Sequence, residues 1–176
     1  IFSIIFCIFR NNEKIIFIPD QYLGDYVNKQ TKRSMTLWPG YCHTHMLITP
    51  EEIASAKKKY PEAKVMAHPE CTPAALALVD AALSTEGMIR YVKESPAKEF
   101  IIGTEIGIIY RLQKEFPDRN FYPASAKAIC PNMKRTTLEK VLWSLETLEH
   151  EVRIDPTIME RAGQSLRKGF LAGQKK

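Results

Sequence analysis

Two cysteines of this chain stand at matching places in two matching stretches. KIIFIPDQYLGDYV runs on through MTLWPGYC to Cys42, and EFIIGTEIGIIYRL runs on through NFYPASAKAIC to Cys130, 88 residues later. In each, an apolar run of strand character leads into an acidic residue, Asp20 or Glu105, then a helical pattern, a short aromatic segment and a loop that carries the thiol. Related loops in related units can bring their thiols to one point, and convergent thiolates hold soft metals and iron–sulfur clusters. Three further polar groups accompany the Trp38 to His45 loop: His68-Pro69-Glu70-Cys71, Ser84-Thr85 and Gly103-Thr104-Glu105. A lone His or Glu at a strand end is more often capping or solvated. Imidazole, carboxylate, hydroxyl and thiol gathered at one sheet edge make a site for acid–base and metal chemistry.

The elements that position these groups alternate. Lys14 to Ile18 and Met35 to Trp38 have the β-branched and aromatic bias of strands, with a helix over about Tyr22 to Lys29 between them. Thr49, Pro50 and Glu52 form a capping box at the start of a helix that runs to Tyr60. Lys64 to Ala67 is a strand, and Thr72-Pro73 starts a helix through about Ala81. A short strand ends at Ser84-Thr85, a helix covers Met88 to Val92, and Glu99 to Ile102 is the next strand. Such alternation predicts an α/β fold of repeated three-layer αβα units with parallel sheets. After Cys130 the pattern turns helical. Leu138, Val141, Leu142, Leu145 and Leu148 recur at helical spacing, Asp155-Pro156 starts a second helix, and Trp143 is expected to pack rather than to bind a ligand.

Composition bounds the function. The chain has 176 residues, 45% of them hydrophobic, and a formal charge of +5, which suits anionic small molecules. Its basic residues are scattered and not interleaved with aromatics, so nucleic acid is not expected as a partner. The opening IFSIIFCIF is shorter than a membrane helix and lacks a basic leader, so no membrane association is expected and the cytoplasm is the expected compartment. Four cysteines at irregular spacing predict free thiols or metal ligands rather than a disulfide framework, and Cys7 is expected to pack as a small apolar side chain.

FIPDQYLGDYV, WPGYCHTH, MAHPEC, STEGMI, GTEIGIIYRL and CPNMK, in this order from about residue 14, resemble the second half of the quinolinate synthase family, iron–sulfur enzymes of NAD biosynthesis. The resemblance implies three αβα domains around a pseudo-threefold axis, each giving one cysteine to a [4Fe-4S] cluster whose fourth iron binds substrate. Residues 1–46 would be the C-terminal half of the second unit, 47–132 the third unit, and 133–176 C-terminal packing helices, with the first unit absent. Cys42 and Cys130 would be cluster ligands, His68 and Glu70 catalytic and substrate-binding groups, and Ser84 and Thr85 substrate-binding hydroxyls. The implied reaction, formally a transferase, condenses iminoaspartate with dihydroxyacetone phosphate to quinolinate, and aspartate oxidase would be the pathway partner. The third cluster cysteine would lie upstream of Ile1, so the isolated chain is expected to assemble no stable cubane and to be inactive alone. Cys71 is expected to be a packed thiol, and His43 and His45 either orient the Cys42 loop or sit solvated. A zinc or thiol-redox module built on Cys42, His45 and Cys130, through the C-x-x-H spacing, and a non-catalytic remnant are the alternatives.

Overall fold

The structure is a computed structural model that describes residues 14–174. Residues Ile16–Cys130 form one compact unit, and Pro131 onward belongs to another. The first unit holds two parallel sheets. In the smaller, β1 (Ile16–Phe17) pairs with β2 (Thr36–Leu37), joined by helix α1 (Gln21–Thr31). In the larger, β3 (Lys64–Ala67), β4 (Ala81–Ala82), β5 (Glu99–Gly103) and β6 (Asn120–Pro123) lie in the order β4-β3-β5-β6, all parallel. Helices α2 (Pro50–Lys59), α3 (Pro73–Leu76), α4 (Thr85–Glu94) and α5 (Ile108–Glu115) connect them. Parallel pairing requires such crossovers, because the chain must return to the same end of the sheet before each strand.

Alternation along the strands divides the core into two layers. Val65, Ala67 and Ile101 face Ile53 of α2 and Ala75 of α3, while Met66, Phe100, Ile102 and Phe121 face Met88, Ile89 and Val92 of α4 and Leu112 of α5. Successive strand residues point to opposite faces, so two apolar faces need a helix layer each, and the three-layer αβα architecture follows. Phe100 is fully buried, a side chain worth about 1.5–3 kcal/mol by area removed from water.

Most helix starts follow the residues that signal them. Thr49 Oγ1 accepts from Glu52 N at 3.3 Å, Thr72 Oγ1 from Ala75 N at 3.3 Å, and Ser84 Oγ from Gly87 N at 3.2 Å. Three elements depart from expectation. α3 ends at Leu76 instead of continuing through Ala81, because Asp80 is drawn back to β3: its N–H donates to Val65 O at 2.9 Å, and its carboxylate accepts Val65 N–H at 2.8 Å. β4 therefore comes at Ala81–Ala82, and Ser84 caps α4 instead of ending a strand. The aromatic segment before Cys130 is itself a strand, β6, whose Phe121 registers with Phe100.

Gly103 ends β5 against Ala67. A Cβ there would lie 2.7 Å from Ala67 Cβ and 2.9 Å from Met66 O, so the two strands at the centre of the sheet would have to part. Gly103→Ala is expected to destabilise the fold by about 1–3 kcal/mol, read from the urea midpoint. The Asp80 carboxyl lies below its ordinary range: burial pushes it up, but the Val65 N–H and the Lys64 ammonium together outweigh that. A depressed carboxyl contributes stability above its unfolded value, near pH 4, and loses it as pH falls through the folded value. Asp80→Asn is therefore expected to lower the urea midpoint at pH 7 and to match wild type progressively as the pH drops below about 4.

In the second unit, α6 (Leu138–Thr147) is capped by Thr137, and α7 spans Pro156–Gln174. α6 buries none of its residues: Leu138 is 83% and Leu145 69% exposed. Trp143, 44% exposed, meets the His150 ring edge-on at 5.0 Å. Cys7 and the apolar opening lie outside the described residues.

Candidate functional site

The strand order of the larger sheet reverses at β3: β4 lies on one side of it and β5 on the other. Ligands of open α/β sheets bind at such a switch point, beyond the carboxyl ends of the strands. His68-Pro69-Glu70-Cys71 leaves β3 there, and Thr104-Glu105 leaves β5. The chain between β2 and α2 adds Cys42 and His45 to the same place. Cys42, His45 and Glu70 each offer a ligand atom, and these atoms lie within 4.8 Å of one another.

His45 is the hinge of this group. Its Nδ1 is 3.0 Å from Glu70 Oε2 and its Nε2 is 2.9 Å from Thr104 Oγ1, with only 7% of the residue exposed. An ionised carboxylate only accepts, so the proton lies on Nδ1, and Nε2 takes the Thr104 hydroxyl proton. The His68 ring stacks on His45, centroids 4.6 Å apart and planes 9° from parallel. Glu70 N–H donates to His68 Nδ1 at 3.3 Å, which leaves Nε2 to carry the neutral ring's proton. Burial, and then the His45 ring beside it, hold His68 below the ordinary histidine range, so at neutral pH it is uncharged. Glu70 is held below the carboxylate range, first by the His45 hydrogen bond, against which burial works, and further by His68 and His45. The pair is thus an ionised carboxylate beside a neutral imidazole with a free-standing N–H donor.

The three described cysteines differ in kind. Cys42 and Cys130 are half-buried and neither is in a disulfide. Cys71 is fully buried, its Sγ donates to Gly103 O at 3.8 Å, and burial, with Cys42 and Glu70 nearby, pushes its thiol up to about 12. It packs, as expected. Cys130 is not part of the three-donor group, so the zinc reading finds Glu70 in the place it assigned to Cys130. His43 is exposed, and Thr44 Oγ1 is buried without a hydrogen-bond partner among the described residues, two positions from the Cys42 thiol. Two half-buried thiols on loops that follow strands, one of them two positions in sequence from a buried hydroxyl with no partner among the described residues, are a donor set whose chemistry fits two of the thiolates of an iron–sulfur cluster.

Ser84 and Thr85 sit at the N-terminal end of α4, Ser84 as cap and Thr85 as first residue. The N-terminus of a helix favours anions. Sequence reasoning did not find the bonds of His45 to Glu70 and Thr104, since these residues are 25 and 59 positions apart. It also passed over what Asp20 and Glu105 do. Asp20 Oδ2 accepts Cys42 N–H at 2.9 Å, and Glu105 Oε1 accepts Cys130 N–H at 3.4 Å. Their equivalent places in the two repeated stretches were the available signal.

The chain matches the family model described as quinolinate synthetase A protein over residues 2–170, further toward the N-terminus than the motifs alone carry the resemblance. It is 48% identical over 151 residues to quinolinate synthase of Dehalococcoides mccartyi strain CBDB1, covering 86% of this chain and 50% of that protein. It is 48% identical over 154 residues to quinolinate synthase of Methanosarcina barkeri strain Fusaro, with 88% and 51% covered. The corresponding protein of Thermodesulfovibrio yellowstonii is 44% identical over 155 residues, again with 88% and 51% covered. The chain spans about half the length of these curated relatives.

Proposed function

We propose, from the premise that this chain belongs to the quinolinate synthetase A family, that it forms part of a quinolinate synthase of NAD biosynthesis. The observation that carries the reading is the meeting of Cys42, His45 and Glu70 within 4.8 Å, a thiol that could ligate a metal beside a carboxylate and an imidazole. Cys42 and Cys130 would hold a [4Fe-4S] cluster together with a further cysteine. When bound, such a cluster supplies a Lewis-acidic iron that polarises a carboxylate or hydroxyl of the substrate.

The chain's own residues would do the rest. Glu70 takes a proton during dehydration and ring closure, its geometry set by His45. His68 donates from Nε2 to a substrate oxygen. Ser84 and Thr85, with the end of α4, receive a carboxylate or phosphate. Iminoaspartate and dihydroxyacetone phosphate are both anions, and the chain's +5 charge suits them. The division into residues 1–46, 47–132 and 133–176, as parts of a pseudo-threefold three-domain protein, belongs to this proposal. The small β1-β2 sheet and the four-stranded sheet, each followed by a loop with one thiol, support it. Aspartate oxidase as supplier of iminoaspartate, and a cytoplasmic setting, are proposed on the same basis; among the described residues no helix is long and apolar enough to cross a membrane.

The intact protein, reconstituted with iron and sulfide and given both substrates, is expected to release quinolinate. Iron-loaded protein that forms none would overturn the reading. The three-donor group also favours a second reading, a mononuclear zinc site on Cys42, His45 and Glu70. Metal analysis after aerobic purification separates them: one tightly held zinc per chain supports the second and is not expected of the first.

A further inference from the structure

Asp20 and Glu105 do the same thing twice. Asp20 is 3% exposed and Glu105 8%, so each is a carboxylate taken almost wholly out of water, which is costly unless every oxygen finds a donor. Each finds two. Asp20 Oδ1 accepts Leu23 N–H at 2.8 Å at the head of α1, and Oδ2 accepts Cys42 N–H at 2.9 Å. Glu105 Oε2 accepts Gly107 N–H at 2.8 Å just before α5, and Oε1 accepts Cys130 N–H at 3.4 Å. One oxygen is fixed to the chain that leaves the strand, and the other to the backbone of the thiol 22 or 25 residues later. Both loops receive a second tie near the same point: Gln21 N–H donates to Gly40 O at 2.9 Å, and Ile106 N–H to Ala128 O at 3.0 Å.

We infer that Asp20 and Glu105 are equivalent positioning residues, each clamping the backbone N–H of its unit's loop cysteine to the strand end and so setting where the Cys42 and Cys130 thiols emerge. The inference rests on the reading of those thiols as cluster ligands. A cluster needs its sulfurs in place to a fraction of an ångström, and the residue that fixes a ligand's backbone matters much as the partners of metal-bound histidines do. A carboxylate suits the task because its two oxygens accept from two segments at once, and hydrogen bonds to a charged acceptor are roughly twice as strong as neutral ones. Neither residue would itself touch iron. The repeat in sequence thus becomes a repeat of a device, with Asp in one unit and the longer Glu in the other.

Asp20→Asn and Glu105→Gln test it. An amide keeps one accepting oxygen and turns the other position into a donor, so one of the two N–H groups is left unmet. Asn caps a helix about as well as Asp, so α1 should survive in Asp20→Asn. In the metal-free protein, the Cys42 amide of Asp20→Asn is expected to exchange its hydrogen at least about tenfold faster. The Cys130 amide and Val65 in β3 should be unchanged. Glu105→Gln should give the mirror result. After reconstitution of the intact protein with iron and sulfide, each variant is expected to retain less of both, and its reduced cluster to show an altered electron paramagnetic resonance spectrum. Unchanged exchange at the cysteine amides, or altered exchange with iron, sulfide and spectrum as in wild type, overturns the clamp. Cys42→Ser and Cys130→Ser controls distinguish the two failures. If they lose iron while the Asp20 and Glu105 variants keep it, the clamp alone falls; if they too keep it, the ligand reading falls and takes the clamp with it.

Discussion

Cys42→Ser and Cys130→Ser are each expected to abolish retention of iron and sulfide by the intact protein, and with it quinolinate formation, whereas Cys71→Ser leaves both near wild type. The thiolate is the ligand, and a serine hydroxyl stays protonated and binds iron poorly. What separates the cysteines is environment. The Cys71 thiol, pushed up to about 12 first by burial and then by Cys42 and Glu70 nearby, stays protonated at pH 7. Its Sγ is turned to Gly103 O behind the β3 and β5 strands, in the apolar layer with Ala67 and Ile101. Cys42 and Cys130 are half-buried and stand on loops beyond strand ends. Iodoacetamide given to the folded, metal-free protein should therefore modify Cys42 and Cys130 and spare Cys71, with the sites mapped by mass spectrometry. Rapid labelling of Cys71, or iron retained by both serine variants, would contradict the assignment.

The parts legible in the sequence are those with local causes. Thr49-Pro50 and Thr72-Pro73 announce helices because the cap and the fixed proline backbone act within one turn, and both begin where those residues stand. Lys64 to Ala67 and Glu99 to Ile102 read as strands because β-branched and aromatic side chains fill a doubly covered sheet. Where a helix stops was less legible. Nothing near Leu76 ends α3; the cause is Asp80 bonding Val65 across the sheet, a tertiary contact that overrides the helical composition of Ala74 to Ala82. β6 was hidden because NFYP is short and ends in proline, which an edge strand tolerates. At the site, residue types and their strand-end placement were readable, and so was the pairing of Asp20 with Glu105 as equivalent positions. The His45 to Glu70 and Thr104 bonds were not, since they join three segments with no sequence periodicity between them.

Those bonds carry the second large effect. Glu70→Gln is expected to lower kcat by about 10²–10⁴-fold while leaving the fold intact, the range general acid–base groups supply. Glutamine keeps an oxygen that can accept from His45 Nδ1, so the position of residue 70 is preserved and only its ability to take a proton is removed. His45→Ala removes the orienting partner instead. Glu70 then loses its largest stabilising hydrogen bond, the Thr104 hydroxyl loses its acceptor, and His68 loses the ring on which it stacks. A smaller fall in kcat, on the order of 10-fold, follows if His45 acts only by holding Glu70, and His45→Gln should restore part of it by again donating to the carboxylate. Steady-state kinetics decide between chemistry and binding. A change confined to KM in Glu70→Gln, with kcat kept, would make Glu70 a substrate-binding group and return the proton transfer to another residue of the pocket.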